Sequence, residues 1–124
     1  MAERWFALGA WLGAAGVILG AFGAHTLKSR LPAEMLAVWE TGSRYHLIHA
    51  LALIATAWAG TRWPGGWTLA AGWLFLAGIL LFSGSLYALA CTGLRAFGAI
   101  TPAGGLCFIA GWACLGMAAL RARP

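Results

Sequence analysis

Four long apolar stretches dominate the chain, and the short segments between them carry most of its charged residues. The corresponding helices are predicted at residues 5–24, 44–61, 67–90 and 102–120. A helix needs roughly 20 mostly apolar residues to cross a bilayer, and in lipid the backbone must satisfy its own hydrogen bonds. The pattern therefore predicts an all-α membrane protein in which residues 1–124 form a single domain of four transmembrane helices.

A short interfacial helix is predicted between the first and second spans. Pro32 suits a first helical turn, and Glu34 suits the positive end of the helix dipole. Met35, Leu36 and Trp39 fall on one stripe of that helix. An amphipathic helix of this kind lies along the membrane surface.

The remaining connections are predicted to be short. Residues 63–67 contain Pro and two Gly residues and read as a tight turn between the second and third spans. Residues 92–101 read as the last loop, with Pro102 opening the fourth helix.

Five glycines line one side of the first span. Gly9, Gly13, Gly16, Gly20 and Gly23 recur in steps of four and three residues, which places them in one seam. Glycine lets helix backbones approach closely where lipid provides no hydrophobic drive for association. We expect this seam to pack against another span of the same chain. A contact between copies in a homo-oligomer is the alternative.

Composition supports the membrane class. The 124 residues are 62% hydrophobic and 9% charged, whereas soluble domains contain about 25% charged residues. The net charge of +5 comes from basic residues scattered at the span ends, where such residues meet lipid headgroups. No basic run indicates a nucleic-acid partner, so the expected partner is the lipid bilayer. Cys91, Cys107 and Cys114 lack a metal-binding spacing.

The Lys and Arg residues do not decide the orientation. Four basic residues fall on each side, so the usual excess of Lys and Arg in the cytoplasm is absent. We expect a multi-pass protein of the cytoplasmic membrane with both termini in the cytoplasm. One side would carry Arg4, Arg62, Arg121 and Arg123, and the other would carry Lys28, Arg30, Arg44 and Arg95.

The unusual polar residues are predicted to gather at one end of the spans. His46 and His49 are three residues apart, and Ser83 and Tyr87 are four apart, so each pair would share a helix face. Ionisable groups inside a membrane are expensive and mark candidate functional sites. The candidate cluster or binding site comprises His25, Arg44, Tyr45, His46, His49, Ser83, Tyr87 and Thr101.

Several roles are compatible with this cluster. The favoured one is an interhelical clasp that supports the bundle or a membrane partner, in a protein that is not an enzyme and has no cofactor. A site for a lipid headgroup or a small solute is the main alternative. Three His residues could hold zinc or copper, but no carboxylate lies inside a span. A Ser83–His49 nucleophile and base would need an orienting acid, for which only Glu40 is near in sequence.

Four segments resemble the signature blocks of the YgdD-type small membrane proteins. They cover residues 20–25, 39–53, 82–87 and 98–105 and read GAFGAH, WETGSRYHLIHALAL, FSGSLY and GAITPAGG. The resemblance implies a four-span protein of the inner membrane and implies no established activity, substrate or cofactor. Members of that family commonly have Ala where this chain has Gly42. The family's motif residues correspond here to His25, Tyr45, His49, Ser83, Tyr87 and Thr101.

Overall fold

The computed structural model describes residues 1–122, and this part of the chain is helical throughout, without strands. The prediction of an all-α protein is confirmed. Arg123, which was assigned to one membrane side from the sequence, lies outside the described residues. The elements are α1 (Ala2–His25), a 3₁₀ turn (Leu27–Ser29), α2 (Ala33–Arg62), α3 (Gly66–Gly78), a π-helical turn (Ile79–Ser83), α4 (Gly84–Thr92) and α5 (Arg95–Leu120).

Three helical segments of the described chain are long and apolar enough to cross a membrane. They are Ala2–Ser29, Gly66–Thr92 and Arg95–Leu120. We call the helical units of the described chain rods: α1, α2, α3 with α4, and α5. The third rod, α3 to α4, is continuous through the π turn. Helix α2 has sufficient length, but Glu34, Glu40 and Arg44 make its first part polar. The total of four crossings therefore stays a prediction.

The interfacial helix predicted after Pro32 is not a separate element, and that prediction is wrong. Helix α2 runs from Ala33 to Arg62 without a break, so the predicted interfacial segment is its first part. Gly42 does not interrupt α2. It lets α2 pack closely on α4, because an added Cβ would lie only 3.2 Å from Leu86 Cβ. A glycine that permits close approach is compatible with a helix interior in a membrane bundle.

The predicted loop at residues 92–101 is also wrong. Helix α5 begins at Arg95, so that Pro102 lies inside it and Thr101 is helical. Proline removes one backbone donor, and membrane helices tolerate this where nearby groups compensate. The only break between α4 and α5 is short, and Gly93 adopts a left-handed conformation there with φ 71°.

The rods pack around a central pair formed by α2 and the third rod. Helix α1 packs mainly on α2, whereas α5 packs mainly on α3, the π turn and α4. The core between the rods contains Trp5, Leu53, Phe75, Ile79 and Phe108. The start of α1, the α2–α3 turn and the end of α5 lie together at one end, and the α4–α5 connection lies at the other.

All five glycines of the α1 seam face α2. An added Cβ at Gly9 would lie 2.8 Å from the Ala50 carbonyl oxygen, and one at Gly16 would lie 2.7 Å from Leu47 Cδ2. Gly13, Gly20 and Gly23 have Ala50, Ser43 and Trp39 as their neighbours on α2. The seam is therefore occupied within the chain, and any contact between copies would use another face.

Aromatic side chains fill notches that glycines leave on neighbouring rods. Trp5 of α1 lies against Gly72 of α3, and Phe108 of α5 lies against Gly78 of α3. Two glycines of α5 are used in the same way. Phe75 of α3 fills the notch at Gly111, and the backbone of Phe82 in the π turn contacts Gly104. Aromatic rings give large contact areas, so each notch contributes substantially to packing.

Replacing Gly9 with Ala should destabilise the bundle. The new Cβ meets backbone atoms of α2, which cannot rotate away as a side chain could, and such overpacking costs about 1–3 kcal/mol. Gly116→Ala is the matched control, because Gly116 is exposed on α5 with nothing within 4 Å. Thermal unfolding in detergent measures both. Equal melting temperatures for the two variants would contradict the close approach of α1 to α2.

Candidate functional site

His49 lies near the midpoint of α2 and joins α2 to α5. Its ring is 3% exposed and stacks on Phe108 with 3.5 Å between ring centroids and 9° between planes. Nδ1 lies 2.7 Å from the Tyr45 carbonyl oxygen, and the indole N–H of Trp112 donates to Nε2 at 3.0 Å.

These two hydrogen bonds determine the protonation state of His49. A carbonyl can only accept, so Nδ1 must carry the proton, and the Trp112 N–H can only donate, so Nε2 must offer its lone pair. His49 is therefore the neutral Nδ1–H tautomer in this arrangement. No lone pair is left for a metal ion or for a base in catalysis.

His46 points to different neighbours, although it is only one turn from His49. Its Nδ1 lies 2.9 Å from the hydroxyl oxygen of Tyr87 on α4, and the ring is buried beside Gly16 of α1. The two histidines therefore have hydrogen-bond partners on different helices, His46 on α4 and His49 on α5. Three residues along a helix turn the side chain by about 60°, which is enough here to reach separate rods.

Nε2 of His46 is buried without a hydrogen-bond partner within residues 1–122. The backbone of Leu12 lies close to the ring without meeting hydrogen-bond geometry. Either tautomer leaves Nε2 unpaired: as an N–H group if Tyr87 donates, or as a lone pair if Nδ1 donates.

Trp39 extends the His46–Tyr87 contact to α1. Its indole N–H donates to the Leu19 carbonyl oxygen at 2.9 Å, and its ring lies 4.6 Å from the Tyr87 ring. The side chain also occupies the space beside Gly23. Trp39 therefore connects α1, α2 and α4 at one level of the bundle.

Ser85 and Thr101 join α4 to α5. Their hydroxyl oxygens are 2.6 Å apart, and Ser85 Oγ lies 2.9 Å from the Phe82 carbonyl oxygen. Thr101 Oγ1 also lies 3.4 Å from the Phe97 carbonyl oxygen. Each hydroxyl has one proton, so either Thr101 donates to Ser85 and Ser85 to the Phe82 carbonyl, or Ser85 donates to Thr101 and Thr101 to the Phe97 carbonyl. Each hydroxyl thus has a partner.

Ser83 is the other buried polar group without a partner in the described chain. It is 0% exposed, and its hydroxyl accepts and donates no hydrogen bond. It ends the π turn, and it precedes Tyr87 by one helical turn. Isolated π turns inside α-helices are frequent at functional positions.

Two of the residues predicted for the cluster stand apart from it, and a third takes part through its backbone. His25 is exposed in the last turn of α1 and makes no side-chain hydrogen bond within the described residues. Arg44 is exposed on the outer side of α2. Tyr45 contributes through its backbone carbonyl, while its ring packs on Phe82 and is 39% exposed.

Sequence reasoning missed Trp112 and Trp39 as hydrogen-bond donors. The sequence predicts Trp39 to lie on one stripe of an interfacial helix, where water can satisfy the indole N–H, and it gives no prediction for Trp112. A tryptophan far from a span end cannot rely on water and must find an acceptor in the protein. That position within the span is the signal that could have identified Trp112.

The arrangement does not assemble a metal site or a nucleophile–base pair. Across residues 1–122 no three His, Cys, Asp or Glu side chains lie close enough to hold a metal ion. His49 has both ring nitrogens engaged, and Ser83 does not contact it through a hydrogen bond. The hydrogen bonds of the arrangement connect α2 to α4, α2 to α5 and α4 to α5.

Comparison with known proteins identifies the same group as the sequence blocks. Residues 19–105 match the family model described as protein of unknown function (DUF423). No solved structure matches the chain significantly.

The similar proteins carry names of membrane proteins. UPF0382 membrane protein YwdK of Bacillus subtilis is 48% identical over 115 residues, which are 92% of this chain and 94% of that protein. UPF0382 membrane protein SSP2132 of Staphylococcus saprophyticus is 45% identical, with 85% of this chain and 87% of its own covered. UPF0382 inner membrane protein YgdD of Escherichia coli K12 is 41% identical, with 85% and 80% covered.

Trp112→Phe should lower stability by about 1 kcal/mol, the usual size of a hydrogen bond between membrane helices. Phenylalanine keeps much of the ring and removes the donor to His49, whose Nε2 is then buried and unpaired. Trp11→Phe is the matched control, because Trp11 is 76% exposed on α1. Thermal unfolding in detergent compares them. A loss no larger than that of the control would mean that the Trp112–His49 bond does not stabilise the protein.

Proposed function

The chain belongs to the DUF423 family of membrane proteins, whose function is unknown, and from that premise we propose a role based on its own side chains. We propose that it is a non-enzymatic integral protein of the bacterial inner membrane. Its buried His, Ser and Tyr side chains act as a polar clasp between helices, and its outer surface is left for lipid or a membrane partner. We define the polar clasp as His46, His49, Ser85, Tyr87, Thr101 and Trp112.

The state of His49 is the observation that carries this proposal. A histidine that serves as a base, a proton carrier or a metal ligand needs a free ring nitrogen. Both nitrogens of His49 are used by groups of its own chain, at 2.7 and 3.0 Å. This supports a structural role for the residue.

The other contacts of the clasp support the same role. Tyr87 with His46 connects α4 to α2, and Thr101 with Ser85 connects α5 to α4. Together with the Trp112–His49 bond, they bridge all rods other than α1. Polar contacts of this kind fix the register of helices that lipid does not otherwise align.

The location and topology belong to the same proposal. The name of YgdD supports the inner membrane. The start of α1 and the end of α5 lie at the end of the bundle that contains the α2–α3 turn. We assign that end to the cytoplasm. Since α1 starts and α5 ends at the same end, we propose four crossings, of which α2 is the second.

Ser85→Ala should destabilise the protein, whereas Ser83→Ala should be neutral or stabilising. The first removes a paired hydroxyl and the second removes an unpaired buried one, so the two serines provide a matched comparison. Combining Ser85→Ala with Thr101→Val should show a coupling free energy of about 0.6–1.7 kcal/mol in a double-mutant cycle. Thermal unfolding in detergent reports each variant. No coupling would contradict the clasp.

A second candidate function is the binding of a small polar molecule beside Tyr87. It is favoured by one observation, the unpaired His46 Nε2 and Ser83 Oγ, since buried polar groups normally have partners. The Ser83→Ala variant separates the two functions. A specific adduct in the native mass spectrum that disappears with Ser83→Ala would establish binding. Unchanged adducts would favour the polar clasp as the function.

A further inference from the structure

A polar cavity lies at the end of the bundle remote from the α4–α5 connection. It has a volume of about 580 Å³ and lies between the α2–α3 turn and the end of α5. This is within the range of small-molecule sites. We name it the interfacial arginine pocket, and it is formed around Arg62, Trp63, Trp67, Thr68, Ala118 and Arg121.

Within residues 1–122, the pocket is lined by two basic side chains and by no acidic one. Arg62 and Arg121 both line it. The chain has only three acidic residues, and Glu34 and Glu40 are in the first part of α2, away from this end. Glu3 lies at this end, but it is 93% exposed and is 3.8 Å from the terminal amino group. The charge balance favours an anion in the pocket.

The backbone at the start of α3 adds donors to the same pocket. The first intrahelical bond of α3 links the Leu69 N–H to the Gly65 carbonyl, which leaves the preceding N–H groups free. Gly65 and Gly66 have no side chain, and an added Cβ at either would meet nothing within 4 Å. A phosphate could therefore approach the backbone between the two arginines.

Tryptophan places this pocket at the membrane surface. The Arg121 guanidinium lies 5.6 Å from the centre of the Trp67 ring, and Trp67 is 42% exposed. Exposed tryptophans at span ends lie at the level of lipid headgroups. Arginine stacked on a ring keeps its edge N–H groups available for two parallel bonds to a phosphate.

We propose that the interfacial arginine pocket binds the phosphate of an anionic phospholipid. Basic pockets between membrane helices are suited to such headgroups. The lipid is favoured over free phosphate because the pocket opens beside Trp67, where acyl chains would continue along the exposed apolar surface of α3. The proposal is independent of the polar clasp, which lies deeper in the bundle and on other residues.

Native mass spectrometry of protein reconstituted with equal amounts of phosphatidylglycerol and phosphatidylcholine tests this proposal. The wild-type chain should retain one phosphatidylglycerol in preference to phosphatidylcholine. Arg62→Gln and Arg121→Gln should each reduce that preference roughly five-fold, which is the effect of one basic residue near a membrane surface. The double variant should lose it.

Arg4→Gln is the matched control, because Arg4 is at the same end but does not line the pocket. It should keep the preference, and the melting temperature and the phosphatidylcholine signal should show that every variant is folded. An equal loss with Arg4→Gln would mean that general surface charge attracts the lipid, which overturns the proposal. Stabilisation by inorganic phosphate alone, dependent on Arg62 and Arg121 and without retained phosphatidylglycerol, would overturn the lipid assignment.

Discussion

Close approach of helix backbones is the constraint on which the rest of this structure depends. Lipid chains are as apolar as Leu, so helices in a membrane gain little from burying apolar surface against each other. Their attraction comes from dense contact, and here glycine provides it. Gly9 and Gly16 bring α1 onto α2, while Gly104 brings α5 onto the backbone of Phe82. Without these approaches, the side chains that bridge the rods would not reach their partners.

The polar contacts follow from that packing. Phe75 enters the notch at Gly111, and this draws the adjacent Trp112 to the level at which its N–H meets His49. In a loosely packed bundle the same indole would face lipid with an unpaired donor, which is costly where no water is present. The glycines and the hydrogen bonds therefore depend on each other, and neither would hold the helices in register alone.

The helices and their polar residues could be read from the sequence because they follow from local rules. Apolar length predicts spans, and the spacing of Gly9 and Gly16 predicts a seam. The start of α5 could not be read, because Pro102 opens helices far more often than it lies inside them. The sequence also could not show that His46 and His49 contact different rods, since this depends on which rods lie on each side of α2. The register of rods is a tertiary property that no local pattern encodes.

The π turn at Ile79–Ser83 has a consequence for how the third rod serves two neighbours. A π turn contains one residue more than the corresponding α-helical turn, and one residue corresponds to a rotation of about 100°. The phase of α4 is thereby offset from that of α3. This offset lets Phe75 face the core while Tyr87 faces His46. Excising a single residue from the turn would rephase everything that follows it, so a family of such proteins should tolerate substitutions there far more readily than changes in length.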